Sequence, residues 1–289
     1  MYWILSDIGS DLPKTFVDRY ENFRLLPMPY RMDGKELSYQ VGDELNASEI
    51  YAKLSAGTTI TTAQITVESY TSMFTDLAQK GEQVLCITLS GGISGSVQSA
   101  QVARSMVLEQ YPQAQITIVD SLCASLGFGL LTKYALTNRA NGMSLEDNAN
   151  WLLQNRLRLI HWFTVDDLNF LFRGGRVTRS SAVLGSMLRI KPILFVNDEG
   201  KLMPFEKVQG RKKSLKTLAD KALQHAVPKE GQDIFISHGN CEEDAQYVAD
   251  LVKEGMPHHG EILISPCSTI IGAHAGPGTM AIFFMGDKR

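Results

Sequence analysis

Two short apolar runs with a helical stretch between them constrain this chain more than any other feature. Val84-Leu85-Cys86-Ile87-Thr88-Leu89 and Gln115-Ile116-Thr117-Ile118-Val119 read as compact buried strands. Ser96–Glu109 lies between them and sets Val97, Ala100, Val102 and Val107 partly in helical register. Two strands joined through one helix form a crossover unit, and a crossover unit requires parallel pairing. The residues before it fit the same plan. Tyr2–Ser6 reads as a first strand, and Asp11-Leu12-Pro13 carries a helix-start signal of acidic cap and early proline. Phe23–Met32 is apolar and extended, with two prolines that argue for an edge or irregular strand. Helical patterns follow at Ala124–Ala140 and Leu145–Leu157.

From Leu159 onward the texture changes. Ile190–Val196 and Leu202–Val208 face each other across Asn197-Asp198-Glu199-Gly200, a turn signal that predicts an antiparallel hairpin. Strand-like Ile234–Ser237, helical Glu242–Lys253, strand-like Glu261–Ser265 and a closing strand Met280–Met285 complete the chain. The expected fold is α/β in two domains. Residues 1–158 carry a Rossmann-like parallel sheet, and residues 159–289 an α/β unit with a mixed or antiparallel sheet.

The 289 residues are 44% hydrophobic and 20% charged, with a net charge of -3, which gives no general attraction to nucleic acid. No run approaches the eighteen or so apolar residues of a membrane span. The start, Met1-Tyr2-Trp3-Ile4-Leu5-Ser6-Asp7, lacks a basic leader segment and reads as a strand. Cys86, Cys123, Cys241 and Cys267 are scattered, so neither disulfide staples nor a zinc site is expected, and a cytoplasmic location is.

Three glycine- and hydroxyl-rich segments stand out. Ser90-Gly91-Gly92-Ile93-Ser94-Gly95-Ser96 follows a strand and opens a helix, where unpaired N–H groups and the dipole favour an anion. The same residues equally suit a tight strand-to-helix turn with serine caps. The Walker loop is excluded because no lysine is present, and Gly-Gly-Ile-Ser-Gly departs from the dinucleotide fingerprint. A nucleophile elbow fails too, since Ser96 stands where the second glycine around Ser94 belongs. In Gly272-Ala273-His274-Ala275-Gly276-Pro277-Gly278, the glycines are expected to keep His274 off any packed helix face, where it either donates to a carboxylate or caps a turn. In Phe172-Arg173-Gly174-Gly175-Arg176, the arginines either clamp an anion or form salt bridges on a turn.

Thr61-Thr62-Ala63-Gln64 adds hydroxyls on an extended segment, and the His258-His259 pair reads as surface. Lys207, Arg211, Lys212, Lys213 and Lys216 gather at the start of a helix, where the dipole disfavours cations. They are either a solvated face or a site for an anionic partner.

In order and spacing these segments resemble the DegV family of fatty-acid-binding proteins. The resemblance runs over nearly the whole chain. It rests on Asp7, the Ser90–Gly95 loop, Val119-Asp120-Ser121, Leu171–Arg176, Lys191-Pro192-Ile193-Leu194 and His274-x-Gly276-Pro277-Gly278. It implies two α/β domains with a lipid between them, the second domain being the lipid-binding one. It also implies a binding protein, not an enzyme, which presents a fatty acid to a separate ATP-dependent kinase for acyl-phosphate formation and phospholipid synthesis. No cofactor is implied beyond the bound fatty acid.

By position, Thr62, Ser94 and His274 resemble the family's carboxylate-binding set, with Thr61, Gly95 and Arg176 as neighbours. Arg173, Arg211 and Lys212 resemble the partner-binding cations. Three departures occur: Ile65 follows Thr62-Ala63-Gln64 where the family has a stiffening proline, Ile8 follows Asp7 where serine is common, and Gln209 replaces a frequent arginine. A buried tail of about 16 carbons contributes roughly 11 kcal/mol gross, so the tail sets affinity and the polar head sets orientation. The alternatives are a serine hydrolase or acyltransferase using Ser94 and His274, and a small-anion-binding regulator.

Overall fold

The structure, a computed structural model, describes residues 1–178, 190–287 and 289. Its first seven strands are β1 (Trp3–Asp7), β2 (Phe23–Leu26), β3 (Met28–Met32), β4 (Lys35–Tyr39), β5 (Ile60–Thr62), β6 (Val84–Thr88) and β7 (Ile116–Asp120). The others are β8 (Leu159–Thr164), β9 (Ile190–Val196), β10 (Leu202–Gln209), β11 (Ile234–His238), β12 (Ile262–Pro266) and β13 (Met280–Met285). The helices are α1 (Lys14–Val17), α2 (Ala47–Ser55), α3 (Val67–Gln79), α4 (Ser96–Gln110) and α5 (Ser125–Ala140). After them come α6 (Leu145–Asn155), α7 (Asn169–Arg173), α8 (Arg211–His225), α9 (Glu242–Gly255) and α10 (Thr269–Ala275).

The fold is α/β. A four-stranded parallel sheet runs β2-β1-β6-β7, with β6-α4-β7 as the crossover unit that the two apolar runs predict. A six-stranded sheet runs β10-β9-β8-β13-β11-β12 and is mixed: β11 and β12 pair parallel, and every other neighbour pair is antiparallel. The β9–β10 hairpin forms where the turn signal lies. Asn197 Oδ1 accepts from the N–H groups of Glu199 and Lys201, and Gly200 supplies the positive φ of 72° that closes the turn.

α5 explains how the two large sheets share one interior. It touches β1 of the parallel sheet and β8, β11 and β13 of the mixed sheet. A helix covered on both sides has no solvent stripe, and Leu126, Phe128, Leu130, Leu131, Ala135 and Leu136 are accordingly all buried. A second core fills the outer side of the mixed sheet, where α8 and α9 pack. Lys133 of α5 also bridges Asp233 at 2.7 Å and Glu261 at 3.0 Å, and Arg19 meets Glu261 at 3.0 Å.

Two sequence expectations need correction. Phe23–Met32 is not one strand. Pro27 has no N–H to continue a ladder, so β2 ends at Leu26 as the edge of the parallel sheet, and β3 begins a separate small sheet ordered β4-β3-β5. There β3 is central despite Pro29, because three-residue β5 pairs only with Tyr30–Met32 and stops short of it. The signal at Asp11-Leu12-Pro13 yields only the four residues of α1, and Asp11 does not cap it. Asp11 is buried in a left-handed conformation, φ 53°, where its carboxylate accepts from Ser125 Oγ and the N–H of Ser268.

Candidate functional site

A cavity of about 410 Å³ lies between the elements of the two large sheets. Much of its wall is apolar, with Met28, Leu89, Phe163, Leu171, Ile270 and Phe283 among the lining residues. Thr62, Ser94, Gly95, Arg176 and His274 face the same space. They come from four separate parts of the chain.

Thr62 is the last residue of β5. Without a proline after it, the segment is held by hydrogen bonds: Ala63 N–H to Pro29 O at 3.0 Å, Gln64 Nε2 to Ser99 Oγ at 2.8 Å, and Ile65 N–H to Ser96 Oγ at 3.3 Å. Gln64 crosses directly over Gly95, where a Cβ would collide with its amide oxygen. Gly95 is therefore a packing requirement as well as a lining residue.

Ser94 sits in the turn before α4. Its Oγ accepts from the N–H of Ser96 at 3.2 Å and lies 3.1 Å from Ser96 Oγ. The hydroxyl thus takes up an N–H that the helix start offers an anion, and with an acceptor site filled it remains a donor. The turn is fixed from the other half of the molecule as well: Ser90 Oγ donates to Gly200 O at 2.8 Å, at the tip of the β9–β10 hairpin.

His274 stands in the last turn of α10, contrary to the expectation that its glycines keep it off a helix. The two glycines serve the helix. A Cβ at Gly272 would stand 2.5 Å from Tyr51 Oη, and Gly276, with φ 81°, ends the turn. Nε2 of His274 lies 2.7 Å from Thr62 Oγ1, while Nδ1 is buried against Gly174 without a hydrogen-bond partner. Burial, and then the nearby charge of Arg176, push its pKa down to about 4, so the ring is neutral at pH 7. An N–H on Nδ1 would be an unmet buried donor, which favours the proton on Nε2, pointing at Thr62. The threonine hydroxyl is then free to donate into the cavity.

Arg176 donates through Nε to Ile93 O at 3.2 Å and through Nη1 to Gly174 O. Its charge has no carboxylate partner among the described residues, and burial lowers its pKa. A half-buried guanidinium with only neutral acceptors attracts an anion.

The remaining predicted residues lie elsewhere. Thr61 is not among the residues that line the apolar cavity; it lines a neighbouring recess together with Thr62 and Arg173. Arg173 is exposed and stacks over Phe170 at 4.8 Å. Arg211 is turned inward. Its Nε donates to Asp244 at 2.8 Å and its Nη1 approaches Asp166 at 3.4 Å, which offsets the cation's poor place at a helix start. Lys212 is exposed. Ser94 and His274 share no hydrogen bond among the described residues, and Nδ1 of His274 lacks an acid to orient it. Among the described residues, the relay a serine hydrolase needs is not assembled.

Sequence reasoning passed over His161, which lines the same cavity from β8. The available signal was one polar residue inside the apolar run Leu159–Phe163. His161 Nδ1 is 3.1 Å from Leu159 O and Nε2 accepts from the N–H of Ala124 at 3.2 Å, which defines a neutral tautomer. Burial, with Arg289 nearby, holds its pKa well below 6.5. The unfolded chain therefore binds a proton there more readily, and the stability His161 contributes is lost as pH falls below 6.5. The penalty for His161→Leu should accordingly shrink between pH 7.5 and pH 5 in urea unfolding, and a constant penalty would show a ring that does not titrate this way.

Comparison with known proteins places the chain in a family and matches its fold. The model of the DegV family, described as uncharacterised protein, matches residues 2–287. A DegV domain-containing protein of Clostridium perfringens is 38% identical over 286 residues, covering 99% of this chain and 98% of its own. Among solved structures, a DegV family protein from Thermus thermophilus, described for fatty acid binding, superposes with a TM-score of 0.86 at 27% identity and covers 99% of each chain. A fatty acid binding DegV family protein from Streptococcus agalactiae gives 0.84 at 28% identity over 100% of this chain and 99% of its own.

Proposed function

Because the chain belongs to the DegV family, we propose that it binds a long-chain fatty acid, its tail in the apolar cavity and its carboxylate on Thr62, Ser94 and Arg176, with His274 orienting the Thr62 hydroxyl. A separate ATP-dependent kinase would then phosphorylate the presented carboxylate for phospholipid synthesis. The observation that carries the reading is the guanidinium of Arg176, unpaired with any acid among the described residues, in the wall of a largely apolar cavity. A carboxylate there neutralises Arg176 and accepts from the hydroxyls of Thr62 and Ser94, each such bond contributing about 1.5–3 kcal/mol. The fatty acid binding described for the Thermus thermophilus and Streptococcus agalactiae relatives supports the same ligand.

In this reading the chain is the binding partner and the kinase supplies the chemistry. The division into two domains falls between Arg158 and Leu159, where β8 begins the mixed sheet. Of the three expected docking cations, Arg211 is held by Asp166 and Asp244, and Arg173 and Lys212 are exposed.

Denaturing extraction of the purified protein followed by mass spectrometry tests the reading directly. Near-stoichiometric fatty acid is expected, and a protein that neither carries nor takes up fatty acid refutes it. Thr62→Val removes one hydroxyl donor and keeps the shape, so palmitate should bind about tenfold more weakly. Unchanged affinity would remove Thr62 from the carboxylate seat.

A further inference from the structure

Ser96 opens α4 two residues after Ser94 and is fully buried. Its hydroxyl has one proton to give and two lone pairs to offer. One lone pair accepts from the N–H of Ile65 at 3.3 Å, which ties the start of α4 to the segment after β5. The hydroxyl's other contact is Ser94 Oγ, 3.1 Å away. Among the described residues it meets no third polar group.

A distance between two hydroxyl oxygens leaves the direction of their bond open, and the surroundings decide it. If Ser94 donated, Ser96 would keep its own proton in a buried place with no acceptor, which is unfavourable. If Ser96 donates, its proton and one lone pair are both used. Ser94 Oγ then accepts twice, from the N–H of Ser96 at 3.2 Å and from the Ser96 hydroxyl. The Ser94 proton is left to point toward the cavity that Ser94 lines. Thr62 is set as a donor in the same way by His274, and a guanidinium such as that of Arg176 has no lone pair to offer. All three groups at the head position therefore give protons.

We propose that Ser96 is a positioning residue which, acting through Ser94, makes the head seat selective for groups that only accept hydrogen bonds. An ionised carboxylate is such a group. A primary amide of the same planar shape is not, because its NH₂ faces a donor. The inference rests on the fatty-acid reading of the cavity and assigns part of its head-group specificity to a residue that does not line it.

Palmitate and palmitamide, each measured by displacement of a fluorescent fatty acid, test this. Wild-type protein should prefer palmitate. Ser96→Ala frees the Ser94 hydroxyl to turn and accept, so palmitate should weaken about fivefold while palmitamide holds or tightens. The preference for the acid should then narrow about tenfold. A purely structural loss, such as the orphaned N–H of Ile65, weakens both ligands alike and leaves the preference unchanged. Ser96→Cys keeps nearly the same volume with a weaker donor, so it should narrow the preference by a smaller step, and it serves where the alanine variant fails to fold. In a Ser94→Ala background, Ser96→Ala should leave the preference where it is, since the group it acts through is gone. Palmitate that fails to bind wild-type protein refutes the fatty-acid reading. Palmitate that binds, with an unchanged preference in the Ser96 variants or an equal narrowing in the Ser94→Ala background, overturns the role of Ser96 alone.

Discussion

Arg176→Met is expected to lower palmitate affinity about 100-fold while leaving hexadecanol bound as tightly as before. Methionine keeps most of the length and apolar stem of arginine, so the change is mainly the loss of charge and donors. The wild-type guanidinium is half-buried, lacks an acid partner among the described residues, and donates only to the carbonyls of Ile93 and Gly174. Binding palmitate supplies the missing anion, and the variant has no charge for it to meet. Hexadecanol brings no anion, so it has nothing comparable to lose. Isothermal titration with both ligands measures the contrast, and thermal unfolding of the ligand-free variant serves as the control. Equal weakening of acid and alcohol would mean that Arg176 acts through its bonds to Ile93 and Gly174 and not through charge.

Gly127→Ala should cost the fold about 3 kcal/mol, at the upper end of what one added methyl does in a packed interior. Gly127 lies in the first turn of α5, where that helix approaches the mixed sheet. A Cβ there would collide with Nε2 of His161, and would stand 2.7 Å from both Cδ2 of His161 and Cδ1 of Phe283. Nε2 is also the acceptor for the N–H of Ala124, so the methyl displaces a hydrogen bond as well as a ring. Because His161 and Phe283 line the cavity, the variant should lose ligand along with stability. Urea unfolding of Gly127→Ala, His161→Ala and the double variant checks the mechanism. The double variant should be more stable than the sum of the single effects predicts, since removing the ring makes room for the methyl. Strict additivity would place the damage elsewhere.

The parts of the fold legible in the sequence are those decided by local pattern. Continuous apolar runs mark β6 and β7, a helical register joins them, and Asn197–Gly200 announces the β9–β10 hairpin through its turn chemistry. The small β4-β3-β5 sheet was not visible, because β5 has three residues and its pairing with β3 joins positions some thirty residues apart. The helix around His274 was hidden for another reason. Glycine usually marks a turn, but Gly272 is there because Tyr51 leaves no room for a Cβ, a fact of tertiary packing. The inward course of Arg211 depends likewise on Asp166 and Asp244, which lie far from it in the chain. For the candidate site, residue type and glycine context singled out Thr62, Ser94, Arg176 and His274, and packing alone shows that they line one cavity. That Thr62 reaches the apolar cavity while Thr61 lines only the neighbouring recess is likewise a matter of packing that the pair of threonines in sequence does not reveal.

The head seat draws on residues 62, 94, 176 and 274, so it is dismantled whenever the chain unfolds. A ligand that binds only the assembled form adds stability by mass action, about 4 kcal/mol at a free concentration 1,000-fold above its dissociation constant. For a protein of ordinary marginal stability, that is a large share of the total. If the ligand is the fatty acid proposed above, resistance to proteolysis is expected to rise with the supply of that ligand, because the loaded protein opens less often than the empty one.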